Sequence, residues 1–150
     1  MPVRAVHVHH GLQSVADEWV DHCRAVCESL NIPLDVIYLQ VQKKRGQSPE
    51  EAARNARYQA LMDNMQGNEC LLTAQHLDDQ AETLLLQLFR TASSAGLSAM
   101  PACRQLGNYF QLRPLLDFSR EEIENYAREN ALHWVEDPSN RDVSFDRNFI

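Results

Sequence analysis

Apolar positions along this chain switch between two spacings, and the switches mark out its elements. Residues 2 to 9 read as a β-strand, with Val6 and Val8 on one face and His7 and His9 on the other. Ser14 then starts a helix, with Asp17 in the capping-box position. Ala16, Trp19, Val20, Cys23, Val26, Cys27 and Leu30 recur at three-and-four spacing, a strong amphipathic signal that Asn31 and Pro33 stop. Leu34 to Val41 is a second strand, and Lys43-Lys44-Arg45-Gly46 follows as a basic loop. Ser48-Pro49-Glu50-Glu51 combines a serine N-cap, a proline at the first helical position and an acid reaching back, so a helix runs from there to about Met65. Gly67-Asn68 turns the chain into a third strand, Cys70 to Ala74, and an apolar-rich helix follows from Leu77 to about Phe89.

After Arg90 the pattern weakens. Residues 91 to 101 are small and polar, and the stretch 91–112 is expected to be a mobile loop. Arg113-Pro114-Leu115-Leu116 reads as extended, and Ser119-Arg120-Glu121-Glu122 is a capping box opening a helix with Ile123, Tyr126, Ala127 and Leu132 inward. Trp134-Val135 reads as a brief strand, and the chain ends in polar, turn-forming residues. The pattern thus predicts an α/β core over 1–90, the loop, and an end of domain over 113–150. Strands alternating with amphipathic helices imply a doubly wound, Rossmann-like parallel sheet. In such sheets ligands bind beyond the carboxyl ends of the strands. His9-His10-Gly11 and the Gln75-His76 junction with its acids both fall there.

Composition narrows the partners. At 150 residues and 44% hydrophobic content, one domain with a core is expected, and no apolar run reaches the ~18 residues of a membrane span. A soluble, cytoplasmic protein is the expectation. Twenty-one acids against fourteen bases give a net charge of −7, so a nucleic-acid partner needs a local patch or another domain. Cys23 and Cys27 lie four apart beside His22, but on the apolar stripe of their helix, where buried free thiols are the simpler reading. His7 and His9 have the spacing of metal ligands, but no Cys or acidic partner follows nearby, and a structural or merely polar role is the simpler reading.

The chemistry concentrates at residues 73 to 83. Asp78, Asp79 and Glu82 open the helix after the third strand, Asp79 and Glu82 sharing a face three apart and Asp78 and Glu82 four apart. Acids in a first turn suit the helix dipole, and Asp78 as N-cap is the bland reading. Three carboxylates so close also call for a cation among them: an ammonium, a guanidinium or a divalent metal. Arg54 and Arg57 on the preceding helix are surface ion-pair partners or anion ligands. A glycine-rich phosphate loop is absent from these residues, since the five glycines are all isolated.

His7-Val8-His9-His10-Gly11-Leu12, Glu51 to Tyr58, Thr73 to Thr83, Arg113 to Leu116 and Glu136-Asp137-Pro138-Ser139-Asn140 with Arg147-Asn148 come in one order and spacing. Together they resemble the tRNA(Ile)-lysidine synthases of the PP-loop ATP pyrophosphatase superfamily, over almost the whole chain. The resemblance implies an adenine nucleotide alpha hydrolase-like fold and a ligase. It would use ATP to adenylate the oxygen on carbon 2 of the wobble cytidine in an isoleucine tRNA with a CAU anticodon, releasing pyrophosphate, after which the ε-amine of free lysine attacks that carbon and expels AMP. It further implies that Asp79 and Glu82 hold the lysine, with Arg57 also catalytic. Arg54, His10 and Gly11 would lie at ATP, and Asp78 would help hold Mg²⁺.

The chain departs from the family pattern in three places. The Ser-Gly-Gly-x-Asp-Ser loop and its strand do not occur in these residues, which would leave flanking strands without partners. Arg90-Thr91-Ala92-Ser93 stands where Arg-Gly-x-Gly is common, and Gln75 where a second histidine is frequent. The regions that contact tRNA in the family also lie beyond these residues. Two other readings stand beside the ligase: a non-catalytic or complementing part of a PP-loop protein, and a tRNA thiolase-like enzyme, whose cysteines would have to lie on sheet-edge loops.

Overall fold

A computed structural model describes residues 2–9, 16–39, 49–90 and 98–137. The chain divides into two compact units, Met1–Gly67 and Asn68–Ile150. In the first unit, β1 (Ala5–His9) and β2 (Leu34–Tyr38) pair in parallel, from Ala5 opposite Leu34 to His9 opposite Tyr38. Helix α1 (Ala16–Ser29) makes the crossover, and α2 (Pro49–Asn64) follows. Ser14 and Ser48, the expected caps, lie outside the described residues, as do the basic loop and the Arg90-to-Ser93 departure beyond Arg90 itself.

Val20 and Ala16 of α1 are buried, as the apolar stripe predicts. The histidine face of β1 lies towards this helix: Cys23 Sγ sits 3.5 Å from His7 Nδ1, and His9 Nε2 is 3.3 Å from Asp17. Burial, then His9, holds the His7 imidazole below its usual range. Burial, then Cys27, pushes the Cys23 thiol up, so it packs as a thiol and not as a reactive thiolate. At the start of β1, Arg4 binds Asp35 at 2.6 Å and the Asn64 carbonyl at 2.9 Å, tying both strands to the end of α2.

In the second unit, β3 (Cys70–Leu72) pairs in parallel with β5 (Tyr109–Leu112), and β4 (Cys103–Leu106) pairs antiparallel with β5. The described strands therefore form two sheets, of orders β1-β2 and β3-β5-β4. The β4–β5 hairpin corrects the expectation of a loop through residue 112. Its two-residue connection, Gly107-Asn108, works because Gly107 takes a φ of 59°, which costs a glycine nothing. Two further expectations fail: Pro114 to Asp117 forms a turn and not an extended segment, and Trp134-Val135 is not a strand. Helix α3 (Leu77–Arg90) follows β3, and α4 (Arg120–Glu129) follows the turn. Ser119 caps α4 with the full reciprocal box to Glu122.

Helices α1 and α4 end by the same device without glycine. Ile32 N donates to Cys27 O and Asn31 N to Glu28 O, with Asn31 at φ 52°. Leu132 N donates to Ala127 O and Ala131 N to Arg128 O, with Ala131 at φ 50°. These are paired Schellman bonds, which need a left-handed residue just beyond the helix. Asparagine accepts that conformation readily; alanine carries its Cβ penalty there. Ala131→Gly is therefore expected to stabilise the protein by about 0.5–1 kcal/mol after the entropy of the unfolded glycine is counted. A raised urea midpoint at unchanged slope checks it.

Candidate functional site

The site is built where β3 hands over to α3. His76 takes the N-cap position, and the three acids fall on the first two turns as the spacing predicts. Their surroundings separate them. Asp79, third in the helix, turns back so that Oδ2 accepts from the His76 amide at 2.9 Å, the acidic half of a capping box. The same oxygen is 3.6 Å from His76 Nε2. Its side chain remains about a third exposed, at 36%. Glu82, half-buried, stands one turn further along on the same face.

Asp78 has a different task. Its Oδ2 accepts from the Arg120 amide at 2.7 Å, capping α4 from a neighbouring helix, while Leu77 N donates to Phe118 O at 2.8 Å. The two helix starts are thereby tied together. The Arg120 amide, aided by the charges of His76 and Arg120, holds the Asp78 carboxyl below its usual range. A depressed carboxylate contributes stability above its unfolded pKa and loses it as pH falls through the folded value. Protection of the Arg120 amide from hydrogen exchange should accordingly be full at pH 6 and fade below about pH 4. Asp78→Ala should remove the protection at pH 6.

Asp78 Oδ2 thus serves the Arg120 amide and lies 3.6 Å from His76 Nδ1. The described residues bring together no three His, Cys, Asp or Glu side chains able to hold a metal. Arg54 and Arg57 are exposed on α2, and both guanidinium groups lie over the Tyr58 ring, at 5.9 and 5.8 Å from its centroid. His10 and Gly11 lie outside the described residues, as do Ser139, Asn140, Arg147 and Asn148.

Sequence reasoning missed the residues that hold the site from below. Gln80 forms a two-way clamp with Met100, giving Nε2 to its carbonyl at 2.8 Å and taking its amide at 2.7 Å. Gln87 accepts from Ala99 N at 3.1 Å. Arg113, buried, donates Nη1 to Pro101 O at 2.6 Å. Gln111 is completely buried at the centre of the three-stranded sheet, where Oε1 accepts from Arg104 Nε at 2.6 Å and Arg113 Nη2 at 3.3 Å. Its Nε2 donates to Thr73 Oγ1 at 2.7 Å. The Thr73 amide in turn donates to Leu112 O at 3.0 Å, extending the β3–β5 ladder to the edge of the acidic turn.

Comparison with known proteins agrees with this architecture. The PP-loop domain model matches residues 1–150. A tRNA(Ile)-lysidine synthase of Pseudomonas fluorescens is 57% identical over 146 residues, 97% of this chain and 33% of that protein. The protein of that name from Serratia proteamaculans is 53% identical over 150 residues, 100% of this chain and 34% of its own length. The chain thus spans about a third of these curated relatives. Among solved structures, the U34-tRNA thiolase NcsA from Methanococcus maripaludis, with its [4Fe-4S] cluster, superposes with a TM-score of 0.73 at 16% identity. That match covers 99% of this chain and 54% of the other, and at such identity it speaks for the fold alone. With parallel βαβ pairing, an acid-lined strand-to-helix junction and a family match from end to end, the chain belongs to the PP-loop domain family.

Proposed function

We propose that this chain is the part of a tRNA(Ile)-lysidine synthase that holds lysine for attack on an adenylated wobble cytidine. The observation that carries the reading is the 57% identity to a tRNA(Ile)-lysidine synthase across nearly all of this chain. The α3 junction supports it. Asp79, whose side chain stays about a third exposed, and Glu82 share one helix face and are the pair proposed for the lysine side chain. The ammonium binds as a cation and must shed a proton before its nitrogen becomes a nucleophile at carbon 2. The new carbon–nitrogen bond forms as the bond from that carbon to the adenylate oxygen breaks and AMP leaves. Arg57 and Arg54 are the proposed partners of the developing charge and the phosphates, and His10 and Gly11 are proposed ATP-binding residues, as the resemblance implies. ATP and an isoleucine tRNA with a CAU anticodon are the further substrates. Mg²⁺ would accompany ATP and neutralise charge on its phosphates.

These residues contain no phosphate-cradling glycine loop, so the 150-residue polypeptide alone is expected to show no tRNA-dependent ATP–pyrophosphate exchange. Joined to the flanking sequence of the Pseudomonas fluorescens relative, it should exchange and should incorporate lysine into isoleucine tRNA. Robust exchange by the isolated chain would refute the first statement. A completed protein that exchanges without isoleucine tRNA, or modifies tRNA with sulfur, would overturn the assignment.

A further inference from the structure

Among the described residues β2 pairs only with β1, so its other edge is open. Ala5 N donates to Pro33 O and Leu39 N donates to His9 O, both at 2.8 Å. In a parallel ladder successive residues turn their backbone groups to opposite sides, so Asp35 and Ile37 also serve β1. Leu34, Val36 and Tyr38 therefore turn their N–H and C=O groups outwards. Val36 lies beside His7 and Tyr38 beside His9 in the register, which puts the three outward residues' side chains on the histidine face. That is the face towards α1, where Cys23 reaches His7 and the His9 and Tyr38 rings stand 5.0 Å apart. Two complementary features lie along this edge. At its start, α1 and β2 leave an open cavity of about 540 Å³ lined by Arg24, Cys27, Glu28, Ile32, Leu34 and Val36. At its end, Tyr38 projects with 61% of its surface exposed.

We propose that β2 is an interface between two copies of this chain, joined edge to edge in antiparallel register about Val36. A two-fold axis there sets Val36 against Val36 and Leu34 against Tyr38 of the second copy. The tyrosine of each copy thus enters the cavity beside Leu34 in the other, so one strand carries both the knob and its hole. The ring meets Leu34 and Ile32, and the Glu28 carboxylate in the same cavity is an acceptor for its hydroxyl. Asp35 falls opposite Ile37, and its charge is already paired with Arg4 at 2.6 Å. Centring the register on Asp35 instead would set two aspartates against each other, which disfavours that alternative. Exposed strand edges are commonly guarded by a lysine, a proline or a bulge. The five residues of β2, Leu-Asp-Val-Ile-Tyr, carry none of these.

Sedimentation equilibrium of the 150-residue chain should show monomer and dimer and no larger species, since a two-fold contact closes on itself. Hydrogen exchange then locates the contact. The amides of Val36 and Tyr38 should exchange fast in dilute solution and at least about tenfold more slowly once the chain is mostly dimer. Those of Asp35 and Ile37 serve β1 and should be protected at both concentrations, which also certifies that each variant keeps the β1–β2 pair. Tyr38→Ala removes the knob and should weaken the dimer about 30-fold, whereas Tyr38→Phe should stay within about threefold of the unaltered chain. A chain still monomeric at about 1 mM overturns the proposal. So does assembly beyond a dimer, or a dimer in which Val36 and Tyr38 still exchange fast. Protection gained instead at Val6 and Val8, on the outer edge of β1, or a Tyr38→Ala dimer as tight as the unaltered one, overturns it equally.

Discussion

Asp79→Asn is expected to raise the KM for lysine about 30- to 100-fold in the completed protein, with little effect on the KM for ATP. Losing one carboxylate partner of a held ammonium costs about 2–3 kcal/mol, towards the low end for charge pairs because this side chain is partly exposed to water. Asparagine preserves what the fold needs, since its side-chain oxygen still accepts from the His76 amide as Asp79 does at 2.9 Å. Stability should therefore change by less than about 0.5 kcal/mol, the difference among good capping residues. Steady-state kinetics with lysine as the varied substrate, alongside a urea melt, separate the two effects. An unchanged KM removes Asp79 from lysine binding.

Gln111→Leu is expected to be the most destabilising single change in the second unit, by about 2–4 kcal/mol. Leucine fills similar volume, so the loss is electrostatic and not a cavity. Arg104 Nε and Arg113 Nη2 lose their common acceptor at a completely buried position, and Thr73 loses its donor. Stripping a partner from a buried charged donor costs more than a neutral hydrogen bond contributes, because the guanidinium group has already left water. Urea unfolding followed by Trp134 fluorescence in a Trp19→Phe background should show a midpoint lower by about 1–2 M. A shift under about 0.3 M would mean that water replaces the amide and that the network is not a structural keystone.

Reading the chain by pattern found the helices because each is long enough to repeat. Pro49 and the apolar spacing placed α2, and the alternation from Leu77 placed the start of α3. Ser119 and Glu122 announced α4 through a box that the structure contains. The β4–β5 hairpin escaped because its strands are four residues each, too few to show a period, although Gly107-Asn108 was a turn signal. Gln111 and Arg104 escaped for a different reason. A polar residue alternating with apolar ones in a strand reads as solvent-facing, and only pairing with a neighbour strand turns that face inward. At the site, sequence located the acids and their shared face. It could not tell Asp78 from Asp79, because the amide that claims Asp78 belongs to Arg120, forty-two positions later.

That distant amide means the start of α4 registers what happens at the head of α3. A guest drawing the acidic turn towards itself pulls on the carboxylate capping the next helix, so Ser119 to Ile123 become a natural reporter of occupancy. It also gives neighbouring aspartates opposite mutational signatures. Damage at position 78 should surface as loosened architecture and damage at position 79 as weakened capture. A survey that scored the two as one acidic motif would average a girder with a grip.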